Sequence, residues 1–202
     1  MSAAETAVIP FSERGPATRT VLVGYGFWLF LLSDIVMFAA LFAAYAVLSS
    51  ATAGGPSGAV LFDKRNVLIE TACLLMSSFT CGLGSLGVQE RSRNQTILWM
   101  GITFLLGAAF LNLEIKEFAG FIAAGDGPWR SAFLSAFFAL VGTHGLHVTL
   151  GLVWIIVMMT QIVTLGFVPV VRRRLTCFAL FWHALDIVWV GVFTIVYLGA
   201  RP

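Results

Sequence analysis

Charged residues are scarce in this sequence. Aspartate, glutamate, lysine and arginine make up 11% of its 202 residues, whereas soluble domains average about 25%. The net charge is only +2, and no basic run is long enough to follow a phosphate backbone, so nucleic acid is not an expected partner. Because 59% of the residues are hydrophobic, the composition indicates an integral membrane protein, and the length suits one domain.

Reactive motifs are missing as well. The three cysteines, Cys73, Cys81 and Cys177, contain no C-x-x-C pair, and all lie in or beside apolar stretches. This placement predicts reduced packing residues and argues against disulfides or zinc ligands. The sequence has no nucleophile with a neighbouring base, no phosphate-binding loop and no closed metal site. We therefore expect no catalytic, cofactor-binding or metal-binding residue in this chain.

Five apolar stretches are each long enough to cross a bilayer as a helix, which takes about 20 residues. Sustained period-2 alternation is absent, so barrel strands are not expected. The predicted fold class is an all-α integral membrane protein, a bundle of five transmembrane helices. Residues 1–20 are expected to form a polar amino-terminal tail and residues 21–202 the membrane domain. The helices are expected at about 21–48, 67–88, 96–124, 131–165 and 175–199.

Lysine and arginine set the expected orientation. Seven of the twelve basic residues lie on the side of the amino terminus, including the cluster Arg172–Arg174. Because cytoplasmic loops carry an excess of lysine and arginine, we expect a cytoplasmic amino terminus and a carboxyl terminus on the opposite side.

Acidic residues inside the apolar stretches are functional hypotheses, since a charge at membrane depth is costly. Glu114 and Glu117 lie three residues apart and so share a helix face, with Lys116 between them. Such a pair can share a proton or bind a metal ion. The interpretation that we favour is an interfacial cluster bonded to neighbouring helices. Glu70 begins the second stretch, where its charge favours a helix N-terminus.

Histidines form two further pairs at the same spacing. His144 and His147 could together bind zinc, copper or haem iron, but H-x-x-H alone is a weak signal and no third ligand is near in sequence. We favour buried imidazoles that bond across a helix interface, with Glu117 as a partner. His183 and Asp186 could pair, or His183 could bond a carboxylate on another helix.

Asp34 is the most deeply placed carboxylate, within the first apolar stretch. Two interpretations stay open for it. It could exchange protons, or it could be a hydrogen-bonded structural acid.

The last two stretches resemble subunit III of haem–copper terminal oxidases. Residues 131–154 read SAFLSAFFALVGTHGLHVTLGLVW and residues 181–199 read FWHALDIVWVGVFTIVYLG. Earlier segments continue the resemblance in the same order: EIKEF at 114–118, DG at 126–127 and LSDIVMF at 32–38.

Two more segments are similar to one branch of that family, the bacterial cytochrome bo-type ubiquinol oxidases. They are TAGGPS at 52–57 and VLIETACLLMSS at 67–78. The resemblance covers nearly everything after about residue 24. It implies the five-helix form, which lacks the first two helices of the seven-helix members typical of cytochrome c oxidases.

The resemblance implies a non-catalytic subunit of an enzyme complex in the bacterial inner membrane. Haems and copper would lie in subunit I, and none would be bound by this chain. The chain would pack mainly on subunit I, with subunits II and IV as further partners. It would bind phospholipid and support stability and proton uptake while the complex reduces oxygen to water with electrons from ubiquinol and pumps protons. At the position of Asp34 the longer members carry a glutamate that reacts with carbodiimides. The resemblance therefore implies that Asp34 reacts with carbodiimides too.

Other functions stay open at this point. The same subunit could serve a cytochrome c oxidase, because the donor site would lie on other subunits. A stand-alone membrane cytochrome would use His144, His147 and His183 as haem ligands. A small proton-coupled transporter is a third alternative, which the lack of internal repeats and broken helices argues against.

Overall fold

The computed structural model describes residues 17–200, so most of the predicted polar tail lies outside the described residues. In this range the chain is all-helical, which confirms the predicted fold class. Its elements are α1 (Arg19–Leu48), α2 (Gly58–Leu61), α3 (Lys64–Gln89), α4 (Arg93–Ala123), α5 (Ala132–Leu165), α6 (Pro169–Val192) and a π-helical segment (Phe193–Leu198) that continues α6. Five helices of the described range are long and apolar enough to span a membrane: α1, α3, α4, α5, and α6 with its π-helical segment.

The last long helix begins at Pro169, six residues before the predicted start at Leu175. Its sequence PVVRRR reads as a loop because of its proline and its charges. Proline suits the first helical position, however, since no N–H is needed there and its φ is already helical. Arg174 then reaches back to α5, where its guanidinium Nη1 donates to Gln161 Oε1 at 3.0 Å. The arginine cluster therefore forms the first turns of α6.

The helices α3 to α6 form the packed body of the bundle. α3 and α4 make a close antiparallel hairpin, α4 packs on α5, and α6 lies against both α3 and α5. α1 lies outside this body and contacts α5 and α6. Its buried residues, Leu31, Phe38 and Tyr45, are spaced by seven and form one narrow stripe. The rest of α1 exposes large apolar side chains, which suits contact with lipid or partner helices.

Two tryptophans of α6 fix its register against α3. The indole N–H of Trp189 donates to Thr71 Oγ1, and that of Trp182 donates to Ser77 Oγ, both at 3.1 Å. Both indoles are buried, and a buried indole N–H needs a partner where water is absent. Since the partners advance along α3 as the tryptophans step back along α6, the two helices are antiparallel and cannot slide by a turn.

The ring of Trp182 also fills the space between α4 and α5. A Cβ atom added to Gly107 of α4 would lie 2.9 Å from its Cη2, and one added to Gly151 of α5 would lie 2.7 Å from its Cζ3. Only hydrogen fits at either position. Small residues let helix backbones approach in lipid, and here two glycines form the two walls that hold one indole.

We predict that Gly151→Ala lowers the free energy of unfolding by about 1–3 kcal/mol, the usual cost of overpacking a tight core. The ring of Trp182 would have to move away from the added methyl group. Thermal unfolding in mild detergent would measure this, with a thiol-reactive dye reporting exposure of the buried Cys81. Gly101→Ala is the matched control, because a Cβ there meets nothing within 4 Å. Equal stability of both variants would contradict the role given to the glycine walls.

Candidate functional site

Three glutamates converge near one end of the bundle. Glu70 lies in the second turn of α3, and Glu114 and Glu117 lie near the end of α4. One carboxylate oxygen from each residue lies within 4.8 Å of the other two. Glu70 is 1% exposed and Glu114 is 3% exposed. The spacing predicted the shared face of Glu114 and Glu117, whereas Glu70 joins them because the α3–α4 hairpin brings the start of one helix beside the end of the other.

Few partners satisfy this carboxylate cluster of Glu70, Glu114 and Glu117. The hydroxyl of Tyr197 donates to Glu117 Oε2 at 3.3 Å. In the described part of the chain, both oxygens of Glu114 and Oε2 of Glu70 are buried without a hydrogen bond. Lys116, which lies between two of the glutamates in sequence, is exposed. Buried carboxylates without hydrogen bonds or a counter-charge raise the free energy of the folded protein. Binding of a cation or of protons would therefore stabilise the cluster.

Tyr197 reaches the cluster from the π-helical segment. Its ring is buried and packs on Phe62 and Trp189, with ring centroids 4.7 and 6.1 Å away. A π-helical turn is rare and is often found at functional sites. Glu117 therefore bonds a tyrosine where the sequence predicts a histidine, because no residue pattern indicates the π-helical segment that carries Tyr197.

His144 lies in the aromatic core of the bundle. It is fully buried, and within residues 17–200 neither ring nitrogen has a hydrogen-bond partner. The rings of Trp189, Phe110 and Phe38 surround it, with centroids at 5.1, 5.8 and 6.4 Å. An imidazole in this setting packs as an aromatic side chain.

His147 lies in a different setting from His144, although the two share a helix. Its Nδ1 lies 2.8 Å from the Thr143 carbonyl oxygen, which holds the ring against its own helix. Its Nε2 lies 4.0 Å from Asp34 Oδ2, so the contact links α5 to α1. The first helix therefore gains a polar attachment beside its apolar stripe, and Asp34 has a basic neighbour.

His183 and Asp186 lie on the face of α6 that meets α3. His183 Nδ1 lies 2.7 Å from the Ser78 hydroxyl, so its hydrogen-bond partner is a hydroxyl, where the sequence predicts a carboxylate. Oδ1 of Asp186 is buried and unpartnered within the described range. The spacing of these two residues showed their common face, but it could not show which side chain of α3 they would meet.

A groove with a volume of about 510 Å³ runs between α1, α3 and α6. Arg172 and Arg173 line one end of it, and His183 lies at the other. Most of its lining is apolar, with Val23 and Leu180 on opposite walls. A basic end joined to an apolar channel suits an amphipathic molecule with an anionic head.

Comparisons with known proteins give one consistent result. The sequence model of the family Cytochrome c oxidase subunit III matches residues 11–200. Cytochrome bo(3) ubiquinol oxidase subunit 3 of Pseudomonas aeruginosa is 57% identical, over 86% of this chain and 83% of the relative. The protein of the same name from Pseudomonas putida is 53% identical, over 86% and 84%. Quinol oxidase subunit 3 of Bacillus subtilis is 44% identical, over 86% and 85%.

We predict that a lipid-soluble carbodiimide modifies Asp34 in preference to the carboxylate cluster. The side chain of Asp34 is 21% exposed on the outer helix, whereas Glu70 and Glu114 are almost fully enclosed. Peptide mass spectrometry of protein treated in detergent would measure the adducts. Asp34→Asn is the control and should remove the adduct from the α1 peptide. An equal extent of modification on the Glu114 peptide would contradict the burial described.

Proposed function

The chain belongs to the Cytochrome c oxidase subunit III family, and we propose that within this family it serves a ubiquinol oxidase. It is a subunit III of a haem–copper oxidase of aerobic respiration and spans the membrane. The observation that carries the choice of donor is the nature of the relatives: proteins 44–57% identical over most of their length are subunits of quinol oxidases.

The proposed role is accessory to the redox chemistry. Haems and copper are assigned to subunit I, where oxygen is reduced to water with electrons from ubiquinol and protons are pumped. The histidines of this chain do not suit haem iron: His144 and His147 lie on one helix, and His183 faces Ser78. Two axial imidazoles must approach iron from opposite sides, which residues of one helix turn cannot do. This geometry supports a chain that binds no redox cofactor.

The apolar faces that the bundle leaves exposed are the proposed surfaces for partner subunits. α1 is the least buried of the five spans, and large apolar side chains such as Tyr25, Trp28 and Phe30 are exposed along it. We assign such faces to subunit I as the main partner, with subunits II and IV and phospholipids around them. The groove that ends at Arg172 and Arg173 fits a phospholipid, with its phosphate beside the guanidinium groups and an acyl chain along the apolar walls.

Asp34 and His147 are the proposed groups through which this subunit supports proton uptake. Their contact lies between α1 and α5 and is partly exposed, so protons could exchange there with the surroundings. The same contact attaches the outermost helix to the packed body. Proton exchange and part of the attachment of α1 would then depend on the same pair of side chains.

We expect the tagged chain, purified in mild detergent, to carry large partner subunits, a haem spectrum and oxygen uptake with reduced ubiquinone. Gel electrophoresis, absorbance spectroscopy and an oxygen electrode would measure these three properties in turn. Cells that express the untagged chain provide the control. Oxygen uptake with reduced cytochrome c, and none with quinol, would show that the chain is a subunit of a cytochrome c oxidase. A colourless, solitary chain without uptake would contradict the accessory role, and a vesicle transport assay would then test the transporter alternative.

The membrane is proposed to be the bacterial inner membrane, with the amino terminus in the cytoplasm and the carboxyl terminus in the periplasm. The arginines at the start of α6 support this orientation, because basic residues are retained on the cytoplasmic side.

Orientation gives a separate prediction. Ser50 follows α1 and Asn94 lies at the start of α4. Both positions are exposed, and they lie at opposite ends of the bundle, so we choose the variants Ser50→Cys and Asn94→Cys. A membrane-impermeant maleimide added to spheroplasts should label the first variant and leave the second unlabelled until the membrane is opened. The unsubstituted chain is the control, because its three cysteines lie within spans. The reverse pattern would invert the proposed topology.

A further inference from the structure

We propose that Glu70, Glu114 and Glu117 bind one hard divalent cation, of the class of Ca²⁺ or Mn²⁺, inside the bundle. This goes beyond the accessory role and has no part in oxygen reduction. It also departs from the expectation that the chain contains no metal ligand, which rested on the lack of a closed set of ligands in the sequence.

The first support is distance. The three carboxylate oxygens lie within 4.8 Å of one another. Calcium binds oxygen at about 2.3–2.6 Å, so three oxygens spaced evenly around one ion are about 4–4.5 Å apart. The carboxylates are close to this spacing, and small side-chain rotations would bring all three onto one ion while the helices stay in place.

The second support is independent of the distances. Glu114 is enclosed by the bundle, and in the described part of the chain neither of its oxygens accepts a hydrogen bond. Oε2 of Glu70 is in the same condition. One oxygen of each residue lies within 4.8 Å of the other two, and the ion pairs found in the described range are elsewhere, Arg130 with Asp126 and His147 with Asp34. A divalent ion would supply the charge that no side chain supplies.

The donor set selects the class of ion. All three ligands are carboxylates, and oxygen-only sites suit magnesium, calcium and manganese better than zinc or copper, which favour nitrogen and sulfur. With Oε2 of Glu117 held by Tyr197, the three carboxylates can give up to five oxygens, and water can complete the six to eight ligands of calcium. The hydroxyl of Tyr197 donates to Oε2 of Glu117. That bond orients the carboxylate and leaves Oε1 free for the ion.

The site lies near one end of the bundle. Glu70 lies six residues beyond Lys64, the first residue of α3, which is about 9 Å along the helix axis. Once bound, the ion would join α3 to α4, and through Tyr197 it would join both to the carboxyl-terminal π-helical segment.

The test is a metal count on the purified tagged chain with whatever partners it retains. Protein is stripped with EDTA, equilibrated with Ca²⁺, passed through a desalting column and measured by plasma mass spectrometry per mole of chain. We expect one calcium for the unsubstituted chain and none for Glu114→Gln, which keeps the size of the side chain. Glu90→Gln is the matched control, because Glu90 is exposed at the opposite end of α3, and it should retain one calcium.

Two results would overturn the proposal. No retained calcium in the unsubstituted chain would mean that shared protons, and not an ion, neutralise the cluster. Equal calcium in the Glu114→Gln variant and the unsubstituted chain would mean that the ion binds elsewhere, either at another site of the protein or on retained lipid. If the variant does not fold, Mn²⁺ titrated into the unsubstituted chain decides by electron paramagnetic resonance: a saturable signal of one immobilised ion per chain supports the site, and its absence refutes it. Because the count is per chain, it holds even if the oxidase partners are not recovered.

Discussion

The fit of Trp182 of α6 against three other helices, α3, α4 and α5, is the constraint on which the rest of the bundle depends. Lipid is as apolar as the helices, so burial of apolar surface alone does not hold them together, and close packing with interhelical hydrogen bonds must do so. The indole meets both requirements at one point, through its N–H to Ser77 and its ring against Gly107 and Gly151. With α6 fixed there, Trp189 meets Thr71 and the π-helical segment delivers Tyr197 to the carboxylate cluster.

Each ionisable group at membrane depth is accommodated by a different physical means. His183 has a neutral hydroxyl partner, His144 is enclosed by aromatic rings, and Asp34 has a basic neighbour on another helix. The carboxylate cluster has the fewest partners for the charge that it can carry. Since burial of charge is what the membrane penalises most, the place where the compensation is incomplete is the place where a ligand would bring the largest gain in stability.

Hydrophobic length predicted the five spans because membrane insertion depends on that property and on little else. Prediction from the sequence was wrong or incomplete for the details that depend on contact with a second helix. The i, i+3 spacing showed that Glu114 and Glu117 share a face, but the approach of Glu70 needed the α3–α4 hairpin. The start of α6 was missed because PVVRRR has the composition of a loop. Tyr197 was missed because the π-helical segment, which packs against α2, α3 and Trp189, has no sequence pattern of its own.

The narrow stripe of α1 has a consequence for biogenesis. Its packing partners, α5 and α6, lie later in the chain, and more than 80 residues separate Leu48 from Ala132. At roughly 5–20 residues per second, synthesis leaves α1 without them for several seconds. The α3–α4 hairpin can close in that interval, because its two helices are adjacent in sequence. α1 therefore waits longer for its packing partners than α3 does, and an insertase or a neighbouring nascent subunit would meet it while its apolar stripe is still unoccupied.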